Sequence, residues 1–72
     1  MTEWKIDNSS ALGARIRERR RRVGLSQASL AGVARVTPRV LGEIENGKAS
    51  AQLDGVLRIL AALGLDLYLR SR

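Results

Sequence analysis

The sequence predicts an all-α bundle of four helices that ends in a short β-strand. Apolar residues recur at helical spacing over most of the chain, with capping residues before these stretches and glycines after them. Only the last residues change to an alternation of leucine with more polar residues. A chain of 72 residues has room for one domain with a small core. We therefore expect an N-terminal arm over residues 1–8, a helical domain over 9–64 and a dimerisation strand over 65–72.

The composition favours an anionic partner and argues against catalysis. Lysine and arginine number 13 against 7 acidic residues, a net charge of +6, and this balance favours a polyanion. The alternative is a basic surface that only keeps the protein soluble. The chain has no cysteine and no histidine, which excludes disulfides, thiolate nucleophiles, imidazole bases and His/Cys metal sites. We expect no enzymatic activity, no cofactor, no membrane span and a cytoplasmic protein.

The arm and the first helix come at the start of the chain. Trp4 and Ile6 alternate with polar neighbours, which suits either a short edge strand or a frayed terminus. Asn8-Ser9-Ser10 can cap a helix over about residues 10–23, which Gly24 ends. The arginines of this helix are Arg15, Arg17, Arg19, Arg20, Arg21 and Arg22. Most of them suit either a solvated face or a basic wall beside DNA phosphates, and Arg19 and Arg20 differ from the others.

Two short helices joined by a turn are predicted between Ser26 and Gly47. Ser26 and Thr37 each place a side-chain oxygen where it can accept a hydrogen bond from a first-turn amide, and Pro38 fits the first helical position. Apolar residues on both segments can pack the two helices together: Leu30, Ala31, Ala34, Val36, Leu41 and Ile44. This arrangement is a helix-turn-helix, a motif that presents its second helix to a groove of DNA.

A fourth helix is expected to begin at Ser50 and end at Gly64, because leucines and valine recur there at helical spacing. The tail after Gly64 alternates as a half-buried strand does. A single strand cannot satisfy its own backbone groups, so we expect it to pair antiparallel with the same strand of a second copy. A fifth helix is the alternative. The residues assigned to dimerisation are Leu65, Leu67, Tyr68 and Leu69.

The pairs Ser26-Gln27 and Leu30-Ala31, followed by a turn and Ile44-Glu45-Asn46-Gly47, form a specific pattern. In this pattern residues 12–64 resemble the Cro/repressor-like (XRE) helix-turn-helix family. The resemblance implies a repressor that acts as a homodimer on a pseudo-palindromic operator of double-stranded DNA. One departure lies in the turn, where the family usually has glycine and this chain has Arg35. A positive φ at that position would cost about 1 kcal/mol.

Candidate DNA contacts separate into two groups. The start of the second helix and the segment after the third suit phosphates, and this group comprises Ser26, Gln27, Asn46, Lys48 and Ser50. The exposed start of the third helix suits base edges, with 38, 39 and 43 matching the base-contacting positions of the family. This second group comprises Thr37, Pro38, Arg39, Gly42 and Glu43.

Three of the base-reading candidates differ in chemistry. Arg39 is favoured, because a guanidinium makes a bidentate contact with O6 and N7 of guanine. Glu43 can accept a bond from cytosine N4, or it can pair with Arg39 four residues earlier. Gly42 costs about 1 kcal/mol relative to alanine inside a helix. It either permits close approach to DNA or has no function.

The family resemblance also implies a structural ion pair between Arg20 and Glu45, which would tie the first helix to the third. Arg19 falls where family members usually place an apolar residue. It must therefore extend its charge to water or meet an acidic group, which makes it a candidate for a protein interface.

A strand directly after the fourth helix is similar to that of the HipB-type antitoxins, a branch of the same superfamily. The matching positions include Leu12, Ile16, Arg20 and the stretch from Leu63 to Leu69. This resemblance implies autoregulation of the chain's own operon and binding to a HipA-like serine/threonine kinase toxin. The alternative is a stand-alone, phage-repressor-like regulator without a toxin partner.

Overall fold

Four α-helices make up the ordered elements of the computed structural model, which describes residues 2–72. They are α1 (Ser9–Arg22), α2 (Gln27–Ala34), α3 (Pro38–Glu45) and α4 (Leu53–Ala62). The expected bundle of four helices is confirmed. Within residues 2–72 no helix combines the length and the apolar character that crossing a bilayer requires.

The core is aliphatic and receives side chains from every helix. Ile16 of α1, Leu30 of α2, Leu41 of α3 and Ile59 of α4 are fully buried. Burying such a side chain contributes about 1.5–3 kcal/mol relative to leaving it exposed. Helix α2 packs on α3 and α4, and α1 packs on α3. One face of α3 is therefore fixed in the core while the other remains at the surface.

Side-chain caps explain where the first three helices begin. The Asn8 side chain accepts a hydrogen bond of 2.8 Å from the Ala11 amide. Ser26 and Thr37 do the same for the amides three residues further on, at 3.0 and 3.1 Å. Pro38 follows Thr37 as the first residue of α3, where its missing N–H leaves no bond unmade. These local contacts fix the starts that the sequence predicted for α2 and α3.

The predicted start of the fourth helix is wrong. Ser50 lies in a turn, and α4 begins at Leu53 without a side-chain cap from Gln52. The non-helical Ala51 packs against the core instead. The first backbone bond of α4 runs from the Val56 amide to the Gln52 carbonyl, at 3.2 Å. Packing of the connecting segment thus outweighs the capping preference of the serine.

The turn between α2 and α3 holds an arginine in the left-handed region. Arg35 has φ 58° and ψ 44° and is the one non-glycine residue with positive φ in residues 2–72. Arg58 of α4 stabilises this turn through two hydrogen bonds. Its Nε donates to the Ala34 carbonyl at 2.9 Å and its Nη2 to the Arg35 carbonyl at 3.4 Å. The carbonyls that α2 leaves unpaired at its end thereby gain a charged donor.

The predicted C-terminal strand is not formed, and neither is the alternative fifth helix. A strand satisfies its backbone groups only beside another strand, and residues 2–72 supply none. Leu65 packs against the core, and its amide donates to the Leu60 carbonyl at 2.9 Å. Leu67, Tyr68 and Leu69 are exposed, Leu69 fully so. Of the four residues assigned to dimerisation, Leu65 is thus packed within the chain and the other three lie at its surface.

Candidate nucleic-acid interface

Helix α3 presents an exposed first turn above a buried opposite face. Leu41, Ile44 and Glu45 are buried, whereas Pro38 and Arg39 are exposed. The Arg39 side chain is 87% exposed, so it can change rotamer without disturbing the core. The surface that would enter a DNA groove is not covered by the rest of the described chain.

A buried carboxylate fixes the C-terminal end of α3. Arg20 of α1 binds Glu45 in a bidentate pair, from Nε to Oε2 at 2.6 Å and from Nη2 to Oε1 at 3.0 Å. Gln27 of α2 donates to the same Oε1 at 3.1 Å. The Arg17 Nε lies 4.0 Å from that oxygen, and Arg20 Nη1 also donates to the Leu25 carbonyl at 3.0 Å. Side chains from α1 and α2 thus converge on one residue of α3 and set its orientation.

The electrostatics of this pair favour the charged forms. Burial alone would raise the pKa of Glu45. Hydrogen bonds from Arg20 and Gln27, and the attraction of Arg20 and Arg17, outweigh burial and lower that pKa below its ordinary value. The hydrogen bond to Glu45 is the main reason that the pKa of Arg20 is raised. Both groups are therefore charged at neutral pH.

Acidification should weaken the fold through Glu45. Its pKa is lower in the folded than in the unfolded chain. The resulting stability is fully present above the unfolded-state pKa of about 4.3 and is lost as the pH falls through the folded-state pKa. Urea unfolding of the unmodified chain should show this loss below about pH 4.3, and Glu45→Gln should reduce the pH dependence. Equal slopes in the two proteins would contradict this role.

Helix α1 approaches α3 at a glycine that the sequence analysis missed. A Cβ built at Gly13 would overlap the Ile44 carbonyl oxygen and lie 2.8 Å from the Glu45 carbonyl oxygen. Only a residue without a side chain permits this contact. The signal was present, because Gly13 falls on the same helical face as Ile16 and Arg20. Gly13 thus brings α1 close enough for Arg20 to reach Glu45.

The phosphate-contact candidates lie at two places on the surface. Ser26 and Gln27 are exposed at the N-terminus of α2, where the helix dipole favours an anion. Gln27 uses its Nε2 on Glu45 but retains its carbonyl and a second N–H. Lys48 and Ser50 are exposed on the segment between α3 and α4. Asn46 is exposed as the residue that ends α3.

Glu43 already has two cationic neighbours within the chain. Its Oε2 lies 3.2 Å from the Lys48 Nζ and 3.9 Å from the Arg39 Nε. The intrahelical pairing with Arg39 is therefore present. A contact from Glu43 to cytosine would have to compete with both cations.

Arg19 binds a backbone carbonyl and no acidic side chain of residues 2–72. Its Nε donates to the Leu63 carbonyl at 3.0 Å, which places a cation at the C-terminal end of α4, where the helix dipole favours positive charge. Within residues 2–72 Arg19 thus binds a helix-end carbonyl rather than an acidic group, which was one of the two alternatives for it. Where the family usually has an apolar residue, this chain thus has an arginine that forms a hydrogen bond within the chain.

Gly42→Ala should stabilise the chain by about 1 kcal/mol. A Cβ at Gly42 would have only the Gln27 Nε2 nearby, at 3.9 Å, and one at Gly32 would meet nothing within 4 Å. Urea denaturation should therefore show a similar gain for Gly42→Ala and the matched control Gly32→Ala. If Gly42 serves close approach to DNA, Gly42→Ala alone weakens DNA binding. Unchanged binding by both variants would leave Gly42 without that function.

Comparison with known proteins identifies the family of the chain. Residues 11–72 match the family described as "Helix-turn-helix domain". Over 63 residues the chain is 38% identical to the uncharacterized HTH-type transcriptional regulator y4mF of Sinorhizobium fredii (strain NBRC 101917 / NGR234). This similarity spans 88% of the chain and 83% of that protein.

Solved structures extend the similarity. A HipB variant in complex with an O2 20mer has a TM-score of 0.88 at 24% identity, covering 97% of both chains. A chain of the HipA-HipB-O2-O3 complex has a TM-score of 0.87 at 23% sequence identity, covering 96% of this chain and 97% of that chain. The restriction-modification controller protein C.AhdI from Aeromonas hydrophila has a TM-score of 0.73 at 31% sequence identity, covering 81% of this chain and 84% of that chain. The chain therefore belongs to the helix-turn-helix domain family, as a transcriptional regulator of the XRE type whose fold resembles that of HipB.

Proposed function

We propose that the chain is a sequence-specific repressor that binds a palindromic operator in double-stranded DNA as a homodimer. The observation that carries this proposal is the exposed first turn of α3, with the Arg39 side chain 87% exposed on a helix whose other face is buried. The net charge of +6 adds attraction to the phosphate backbone. Thr37, Pro38, Arg39, Gly42 and Glu43 would face base edges, and Ser26, Gln27, Asn46, Lys48 and Ser50 would face phosphates.

The homodimer is supported by the apolar side chains that the tail leaves in solvent. Leu67, Tyr68 and Leu69 are exposed, and a second copy of the tail could cover them while completing an antiparallel pair of strands. Two-fold symmetry would place the two α3 helices roughly 34 Å apart, in successive major grooves. The tail is thus proposed to gain its strand structure only on dimerisation.

Titration of DNA from the region upstream of the gene tests this function. The comparison is a duplex of equal length and mixed sequence, measured at two salt concentrations. We expect saturable binding of two chains per site, with preference for the upstream duplex and a steep loss of affinity with salt. Equal affinity for both duplexes would contradict a sequence-specific function.

Arg39→Ala should relax the preference for one base position by about 1–3 kcal/mol. The reason is the loss of a bidentate contact to guanine, while the fold is unaffected because Arg39 is exposed and its contact with Glu43 at 3.9 Å is weak. The measurement compares the operator with single-base variants of it. Equal losses on operator and mixed-sequence DNA would identify Arg39 as a phosphate contact instead.

A second proposal concerns a toxin partner. The structural similarity to HipB covers 96–97% of this chain, including the tail, and one HipB structure contains HipA. This supports an antitoxin that binds a HipA-like kinase and autoregulates its operon. The alternative, a regulator without a toxin, is supported by the 31% identity to the controller protein C.AhdI. Co-expression with the product of the adjoining gene distinguishes them, because only an antitoxin would co-purify with a kinase-like protein in fixed stoichiometry.

A further inference from the structure

An open groove of about 550 Å³ runs beside the start of α3. It lies between the α2–α3 turn and the segment that precedes α4, and we call it the α3 groove. Its lining includes two proposed phosphate contacts, Lys48 and Ser50, together with Arg35 and Thr37 of the turn.

The three cations of the α3 groove differ in what they already bind. Arg58 donates to the Ala34 carbonyl and reaches Asp54 at 3.5 Å. Lys48 pairs with Glu43 at 3.2 Å. Arg35 is exposed, and its side chain makes no ion pair with any of residues 2–72. The groove thus contains one cation whose charge is available to a ligand.

The backbone at Arg35 is held in a conformation that favours glycine. Its φ of 58° and ψ of 44° lie in the left-handed region, where a side chain adds steric cost. Arg58 stabilises the turn by donating to the Arg35 carbonyl. Strained residues that the surrounding structure holds in place occur preferentially at functional sites. A long cationic side chain at this position therefore calls for a role that glycine could not fill.

We propose that Arg35 binds a phosphodiester of the DNA backbone that runs along the α3 groove, next to Lys48 and Ser50. This inference rests on the proposed function and adds a residue to its phosphate contacts. The turn precedes Thr37 and α3 directly, so a phosphate held by Arg35 fixes the depth at which the first turn of α3 meets the bases. Because a phosphate is common to all sequences, Arg35 contributes affinity and not base preference.

The test compares Arg35→Gly and Arg35→Asn with Arg35→Lys in the full chain. Both neutral residues tolerate the left-handed region, so the urea midpoint should rise for glycine and not fall for asparagine. Affinity should nevertheless fall several-fold, and equally, for the upstream duplex and for the mixed-sequence duplex. The slope of log K against log salt should become shallower by about 0.9 per bound chain. Arg35→Lys should retain most of the affinity, because it keeps the charge.

The matched control is Lys5→Gln, which removes one positive charge from the exposed arm outside the α3 groove. It should leave the salt slope nearly unchanged. Arg35 variants with the affinity and salt slope of the unmodified chain would overturn the inference, and so would an equal loss in Lys5→Gln. The proposed function fails on a different result, namely that the unmodified chain shows no preference between the duplexes. A chain that binds neither duplex would overturn both.

Discussion

Arg20→Ala should lower the free energy of unfolding by about 3–5 kcal/mol, because it leaves a buried carboxylate without its main partner. The Glu45 side chain is only 1% exposed and would retain one hydrogen bond, from Gln27. A chain of this size has a total stability on the order of 4–11 kcal/mol. The substitution therefore removes a large share of that stability. Chemical denaturation followed by far-UV circular dichroism measures the change.

Arg58→Ala is the matched control for Arg20→Ala. Arg58 also donates to buried backbone, at the Ala34 carbonyl, but its side chain is 35% exposed and its carboxylate partner Asp54 is at the surface. We expect a smaller loss, because surface ion pairs contribute little. Equal losses from the two variants would mean that burial of Glu45 does not determine the cost. Loss of DNA binding by Arg20→Ala at a temperature where it remains folded would show that the pair also orients α3.

Gly13→Ala should destabilise the chain by about 1–3 kcal/mol, although alanine is the better helix former. The new methyl group would meet the Ile44 and Glu45 carbonyl oxygens, which are backbone atoms and cannot rotate away. Relief requires α1 to move off α3, and this movement would lengthen the bonds between Arg20 and Glu45. Both stability and DNA affinity should therefore fall together.

Gly32→Ala provides the control for this effect. It makes the same chemical change inside a helix, but its Cβ would meet nothing within 4 Å, so it should stabilise the chain by about 1 kcal/mol. Opposite signs for the two substitutions would identify the close approach of α1 to α3 as the cause. A stabilising Gly13→Ala would show that the two helices can separate at little cost.

Local chemistry made most of the fold predictable. The starts of α1, α2 and α3 follow from Asn8, Ser26 and Thr37, whose side chains bind amides three residues further on. The same rule failed at Ser50, because the packing of Ala51 against the core decides the path of that segment. A capping preference of about 1 kcal/mol is too small to compete with tertiary packing.

Two features depended on contacts between distant residues. The approach of Gly13 to the end of α3 and the support of Arg35 by Arg58 join residues on different helices. Spacing places Gly13 on the inner face of α1, but it does not reveal which backbone atoms that face meets. The strand predicted from the alternation between Leu65 and Leu69 is not formed for a different reason. Alternation describes one side of a strand, but the chain supplies no second strand for it within residues 2–72.

The absence of aromatic residues from the core has a consequence for optical measurements. The chain has one tryptophan, one tyrosine and no phenylalanine. Trp4 lies on the arm, with the Arg15 guanidinium 4.6 Å from the centre of its ring, and Tyr68 is exposed in the tail. Intrinsic fluorescence would therefore follow detachment of the arm from α1 rather than melting of the aliphatic interior. A fluorescence transition that precedes the loss of circular dichroism would therefore report this detachment and not an intermediate in unfolding of the helical core.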